Sequence, residues 1–184
     1  MGTREEDDFE RTAKIPLIWQ ITARQLIAAG NRLRIGQEAA KETMSFYASR
    51  MPILLLFGFA AENLAKGVLV ANGVLPAVPD NKKGSLKLND KIKGHNLDAL
   101  CVAAGLVLDP TDTDVLNDLS WTTQAGKYPV GTRPAISPGG PTPMFLELTN
   151  LDRACQLLER LEDALRNTGH PWVLEKVDLC KLGL

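Results

Sequence analysis

The alternation of apolar and polar positions along the chain is helical almost throughout. In residues 15–34, Trp19, Leu26, Ala29 and Leu33 recur at steps of seven, three and four, the spacing of one helix face. Gly36 is expected to close that helix. A second helical stretch covers residues 38–72, with Gly73 as its C-terminal cap. Pro52 interrupts it. Proline suits a first turn and damages an interior, so the pattern predicts either a break at Arg50–Met51 or a kink there. From Pro52 onward the helix is apolar nearly all round, which predicts a place at the centre of a bundle. Its longest apolar run, residues 53–61, ends at Glu62 and Asn63 and is too short to cross a bilayer.

Shorter segments follow. Residues 74–94 read as a loop, with Pro76, Pro79, Gly84 and Gly94. Asn96 is placed to cap a short helix whose apolar face is Leu97, Leu100, Cys101 and Ala104, and Gly105 ends it. Asp109-Pro110-Thr111-Asp112 announces another helix: a capping side chain, a proline in the first turn and an acid three residues after the cap. That helix carries Val115, Leu116, Leu119 and Trp121. Residues 126–143 hold five prolines and four glycines and read as one long loop. The last helix opens at Thr142-Pro143 and closes at Gly169. Met144, Leu151, Ala154, Leu158, Leu161 and Leu165 form a heptad-like stripe along it, suited to a packing seam. A tail beyond Pro171 keeps Trp172, Val173, Leu174 and Leu179, enough to dock on the bundle or to make a contact. No strand alternation and no internal repeat is evident. The prediction is an all-α fold, an up-and-down bundle of four to five helices. Residues 1–14 form a frayed acidic lead-in, 15–169 the bundle and 170–184 a C-terminal tail.

Composition narrows the chemistry. The 184 residues are 45% apolar and 23% charged, ordinary for a globular domain, and the formal net charge of −1 excludes a generally basic nucleic-acid coat. The acidic N-terminus lacks the apolar core of a signal peptide. The three cysteines, Cys101, Cys155 and Cys180, are widely spaced, with no C-x-x-C pair. They are expected to be buried, reduced thiols of a cytoplasmic protein, with no metal site and no cofactor. One basic cluster stands out. Lys82, Lys83, Lys87, Lys91 and Lys93 exceed Asp80 and Asp90 by three charges, without arginine or aromatic neighbours. It is expected to be a solvated loop with at most non-specific attraction for phosphates.

Three segments, in order, resemble HEPN domains (higher eukaryotes and prokaryotes nucleotide-binding). Gly58-Phe59-Ala60-Ala61-Glu62-Asn63-Leu64-Ala65-Lys66-Gly67-Val68-Leu69-Val70 is similar to that family's central helix, A-x-E-x-x-L-K-A-L-L in character. Gly94-His95-Asn96-Leu97-Asp98-Ala99-Leu100 is similar to its H-D-L-x-x-L helix opening, and Gly126-Lys127-Tyr128-Pro129 to its R-Y-P segment. The resemblance spans roughly residues 15–168 and implies an up-and-down bundle that forms homodimers. In the family, many members are metal-independent ribonucleases with an R-x(4–6)-H motif. Others pair with nucleotidyltransferases as toxin or antitoxin, and some are inactive scaffolds. This chain departs from the ribonuclease pattern. Only three residues separate Arg166 from His170, no arginine precedes His95 closely, and Lys127 stands where arginine is usual.

The candidate residues follow from both readings. Glu62 and Lys66, four apart, can pair along one helix face, and in so apolar a helix a retained charge needs a partner or a ligand. His95, at a helix start, orders that junction or acts as an acid–base near neutral pH. His170 and Arg166, catalytic candidates beside His95, sit at the end of the last helix, where the alternative is a histidine that interacts with the helix dipole. Lys127 and Tyr128 could contact a base or sugar, or anchor the long loop. The implied function is a dimeric HEPN-like module that binds RNA, a nucleotide or a nucleotidyltransferase-like partner in a stress, defence or toxin–antitoxin setting, without the usual ribonuclease motif. The alternatives are a divergent metal-independent endoribonuclease and a purely structural dimerisation protein.

Overall fold

The computed structural model describes residues 11–39, 45–79, 86–127 and 148–183. It is mostly helical, so the all-α expectation holds. In chain order the elements are α1 (Pro16–Ala39), α2 (Ser45–Ala71), β1 (Ala77–Pro79), β2 (Leu86–Leu88), α3 (Asp90–Lys93), α4 (Leu97–Ala103), α5 (Pro110–Lys127), α6 (Leu148–Asn167) and a 3-10 turn (Leu179–Lys181). Residues 11–13 add a helical turn ahead of α1, tied down by Trp19 Nε1 donating to the Ala13 carbonyl at 2.8 Å.

Helix α2 is the axis of the fold. Helices α1, α4, α5 and α6 all pack against it, and Ile53, Phe57, Ala60, Leu64, Ala65 and Val68 are buried along it. Its stretch Met51–Ala71 is long and apolar enough to cross a membrane by composition alone, but 78% of it is buried inside the protein. Pro52 neither breaks nor ends α2, contrary to the first of the two expectations; the helix runs through it. Pro52 is the eighth residue of α2, past the first turn, so it removes one interior helical N–H donor, and the packing of the helix on its neighbours outweighs that loss. Gly58 lets α5 come close, since a Cβ there would stand 2.5 Å from Thr123 Cγ2 and 3.0 Å from the Leu119 carbonyl oxygen. At the far end Gly73, at φ +85°, completes a Schellman cap: its N–H bonds Val70 O, and Val74 N–H bonds Leu69 O, each at 2.9 Å.

The short helices match their predicted capping. Asn96 Oδ1 accepts from Ala99 N–H at 3.4 Å, and Leu97, Leu100, Cys101 and Ala104 are buried as expected. Asp109 and Asp112 form a reciprocal capping box at the start of α5. Asp112 N–H donates to Asp109 Oδ1 at 2.8 Å, and Asp109 N–H to Asp112 Oδ2 at 3.2 Å. Every described member of the α6 stripe, Leu151, Ala154, Leu158, Leu161 and Leu165, is fully buried. The proposed opening of that helix at Thr142-Pro143 lies outside the described residues.

Several expectations need correction. Helix α1 continues through Gly36 to Ala39, because one exposed glycine costs only about 1 kcal/mol in a helix. Its buried face is not the Trp19–Leu26–Leu33 row, and Leu33 is exposed. The face is Gln20, Ala23, Ile27 and Asn31, and with Ile27 its one large apolar residue the periodicity is hidden. The segment read as a loop contains an antiparallel hairpin, Ala77 opposite Leu88 and Pro79 opposite Leu86, with strands too short to show alternation. Of its lysines, Lys91 and Lys93 lie exposed on α3, while Lys82 and Lys83 lie outside the described residues. Gly126 and Lys127 belong to α5 rather than to the following loop. Trp121 faces outward, 37% exposed. Finally, the cysteines are not three free thiols: Cys155 and Cys180 form a disulfide across a Cα–Cα distance of 5.7 Å, leaving Cys101 as the free buried thiol. The two lie 25 positions apart in sequence, so only the fold brings them together.

Candidate functional site

Two of the sequence segments singled out above meet on one buried carboxylate. Glu62 and Lys66 occupy successive turns of α2, both 7% exposed, and Lys66 Nζ donates to Glu62 Oε1 at 2.6 Å. The second oxygen, Oε2, lies 3.0 Å from His95 Nδ1. His95 stands between α3 and α4, its side chain 43% exposed. The carboxylate thus joins a sealed ammonium to an imidazole at the surface.

Local chemistry fixes the histidine. Asn89 caps α3 through Lys91 N–H at 3.0 Å and donates from Nδ2 to the Leu75 carbonyl at 2.9 Å, and Ile92 is buried beneath. On the other side, Leu97 N–H donates to Ser120 Oγ of α5 at 3.0 Å. Both flanks of His95 are therefore held, one to the hairpin base and the other to α5. Ser120 is a positioning residue that no sequence pattern marked; a serine in mid-helix is unremarkable until its partner is seen.

Electrostatics sets the protonation. Burial pushes the Glu62 carboxyl up, but the hydrogen bonds and charges of Lys66 and His95 outweigh it and hold the group below its ordinary 4.5. Glu62 is therefore ionised at neutral pH and can only accept. His95 Nδ1 must then carry the proton and donate to it. A carboxylate that orients an imidazole in this way is the acid–base arrangement of many catalytic sites.

An open cleft of about 460 Å³ lies alongside. Gly94 and Asn96, on either side of His95, help to line it, with Leu69, Val74 and Leu100 as its apolar wall.

The remaining candidates do not join this centre among the described contacts. Arg166 bonds Asp163 at 3.3 Å. His170 Nδ1 accepts from Trp172 N–H at 3.3 Å, and its ring sits edge-on to Trp172 with centroids 6.0 Å apart. His170 thus orders the turn after α6. Lys127 is the last residue of α5, and Tyr128 lies outside the described residues. One further group places metal-ligand atoms within 4.8 Å of one another: Glu159, Asp178 and Cys180. Its sulfur is committed to the disulfide, and Asp178 to Lys181 at 2.9 Å, so protein groups already occupy these donors.

A second buried carboxylate, Asp112, is 1% exposed. Arg153 Nε donates to its Oδ1 at 2.7 Å and Arg160 to its Oδ2 at 2.6 Å. Burial raises this group too, yet the bonds from Arg160, the Asp109 backbone and Arg153 hold it below its ordinary 3.8. The knot ties α5 to α6.

Against known proteins, the chain matches no protein-family profile, no curated protein and no solved structure.

Proposed function

We propose that the chain is a HEPN-like helical module, acting as a homodimer in the cytoplasm, whose Glu62–Lys66–His95 centre contacts the phosphates of RNA in a stress, defence or toxin–antitoxin role. The observation that carries this reading is the meeting of Glu62, Lys66 and His95. They come from two of the three segments that resemble the family, lie up to 33 residues apart, and converge on one carboxylate. A purely structural role has no need of a half-exposed imidazole at the end of a buried charge chain. When protonated, that imidazole gives the centre one net positive charge, which attracts a phosphate. A solvated nucleotide is a smaller ligand of the same chemistry.

The test is binding and cleavage of a mixed structured-RNA pool without metal, for the native chain, His95→Ala and the His95→Ala/His170→Ala pair. The reading expects binding that weakens steeply with salt and falls about tenfold in His95→Ala, with no cleavage by any of the three. Cleavage lost with His95 would instead make the chain a divergent endoribonuclease, with the imidazole as acid–base. Salt-insensitive or undetectable RNA binding would overturn the reading and leave a dimerisation or partner-docking bundle.

A further inference from the structure

The C-terminal segment, residues 172–183, has little regular structure of its own, yet it lies along the groove between α1 and α6. It advances in step with α1 and against the direction of α6. Gln20 meets Leu174, Arg24 meets Glu175, and Asn31 meets Leu179 and Leu182. On α6, Asp163 meets Lys176 at 2.9 Å, and Cys155 meets Cys180.

The groove recognises this segment mainly by its backbone. Gln20 uses both ends of its amide: Oε1 accepts from Leu174 N–H at 2.7 Å, and Nε2 donates to Leu174 O at 3.4 Å. Asn31 Nδ2 donates to the carbonyls of Leu179 and Leu182, each at 2.9 Å. Arg24 donates to the Glu175 carbonyl and, at 2.6 Å, to the buried Glu162, which also accepts from Gln20 at 2.9 Å. The floor of the groove, Gln20, Asn31 and Glu162, each 2% exposed or less, is polar. Asn31 Oδ1 has no hydrogen-bond partner, so the segment does not satisfy its seat completely. Leu179 is fully buried and Val173, Val177 and Leu182 pack half-buried against the core, whereas Trp172 is 57% exposed.

We propose that this segment is a redox-latched strap. The Cys155–Cys180 bond holds it in the α1–α6 groove, and thiol–disulfide exchange with a dithiol reductant releases it without unfolding the helices. Cys180 is a half-buried residue and Cys155 is fully buried. An attacking thiolate therefore forms a mixed disulfide on Cys180, and Cys155 leaves as a thiolate that takes up a proton. The reductant's second thiol then displaces Cys180. Two electrons and two protons pass to the cysteines, and the reductant becomes a disulfide. Release uncovers a groove built to bind an extended backbone. The strap's hold is divided between these hydrogen bonds, its apolar contacts and the covalent link, and reduction removes the last of them. With α6 kept folded, the flexible part of the loop runs only from Asn167 to Cys180, and closing a stretch of that size raises the occupancy of the closed state by roughly a hundredfold.

The test is amide hydrogen exchange on the whole native chain with and without dithiothreitol, beside the Cys155→Ala/Cys180→Ala variant, after mass spectrometry of the unreduced protein. The proposal expects a disulfide mass in the native chain. It expects exchange at residues 174–183 to rise on the order of a hundredfold on reduction, with α2 and α6 unchanged and the variant matching the reduced chain. Unchanged protection of 174–183 on reduction would overturn it, as the groove's hydrogen bonds would then suffice. So would a uniform rise across all helices, which would make the segment part of the core, and so would the absence of the disulfide from the oxidised native protein.

Discussion

Glu62 and Asp112 are two solutions to one problem, a carboxylate buried against a helical core. Asp112 is closed off. Two arginines and the backbone of its own capping box take its oxygens, and guanidinium groups do not titrate near neutral pH. Glu62 is left open at one end, its partners a lysine and a half-exposed histidine. The first joins two helices and has no proton to exchange. The second holds a surface group whose charge can change. A buried charge is thus weak evidence of function by itself, and the titratability and exposure of its partners tell the two cases apart.

The sharpest way to break that comparison is Asp112→Ala. It leaves Arg160 without its carboxylate and Arg153 with Asp109 alone, and it removes half a capping box, so urea unfolding is expected to show a loss of about 3 kcal/mol, with RNA binding unchanged in the remaining folded protein. Next comes Glu62→Gln, expected to lose about 2 kcal/mol because it leaves the Lys66 ammonium buried without its anion. Its pH signature carries the sign. A carboxyl held below 4.5 in the folded state favours folding above that value, and the contribution is lost as pH falls through the lower folded value. Unfolding midpoints followed from pH 7 to pH 3 should fall less steeply in Glu62→Gln than in the native chain. A parallel or steeper acid limb would contradict the ionised assignment.

His95→Ala should move stability by less than about 1 kcal/mol, since its side chain is 43% exposed and solvent screens the pair. The roughly tenfold loss expected in RNA affinity would then belong to the site and not to the fold. A large loss of stability in His95→Ala would make the two carboxylate centres alike, both structural. The smallest effect concerns Cys101, whose thiol burial and the charges of Asp98 and Asp112 push up to about 12. Iodoacetamide at pH 8 should leave it unlabelled in the native protein and label it once unfolded. Labelling in the native state would show that the α4–α5 side of the core opens readily.

Much of the fold was legible in the residues. The heptad stripe on α6, the all-round apolarity of α2, the Asn96 cap and the Asp109–Asp112 capping box each depend on neighbours within a few positions, and each is found where the pattern placed it. Helix α1 was read on the wrong face. Gln20 and Asn31 are polar, and their burial follows from the C-terminal segment laid over them. The hairpin was missed because three-residue strands carry no period. The candidate site was legible as separate letters. Glu62 and Lys66 announced themselves as an i, i+4 pair, and His95 as a residue before a helix.

Local propensity and periodicity are properties of short stretches, so the sequence by itself determined the helices, their caps and the central place of α2. Tertiary structure decided which distant groups share a charge or a bond. It set His95 on Glu62 with Ser120 beneath the junction, two arginines on Asp112, and Cys180 on Cys155. Those partnerships depend on how helices pack and on what water is excluded from, and no spacing along the chain encodes them.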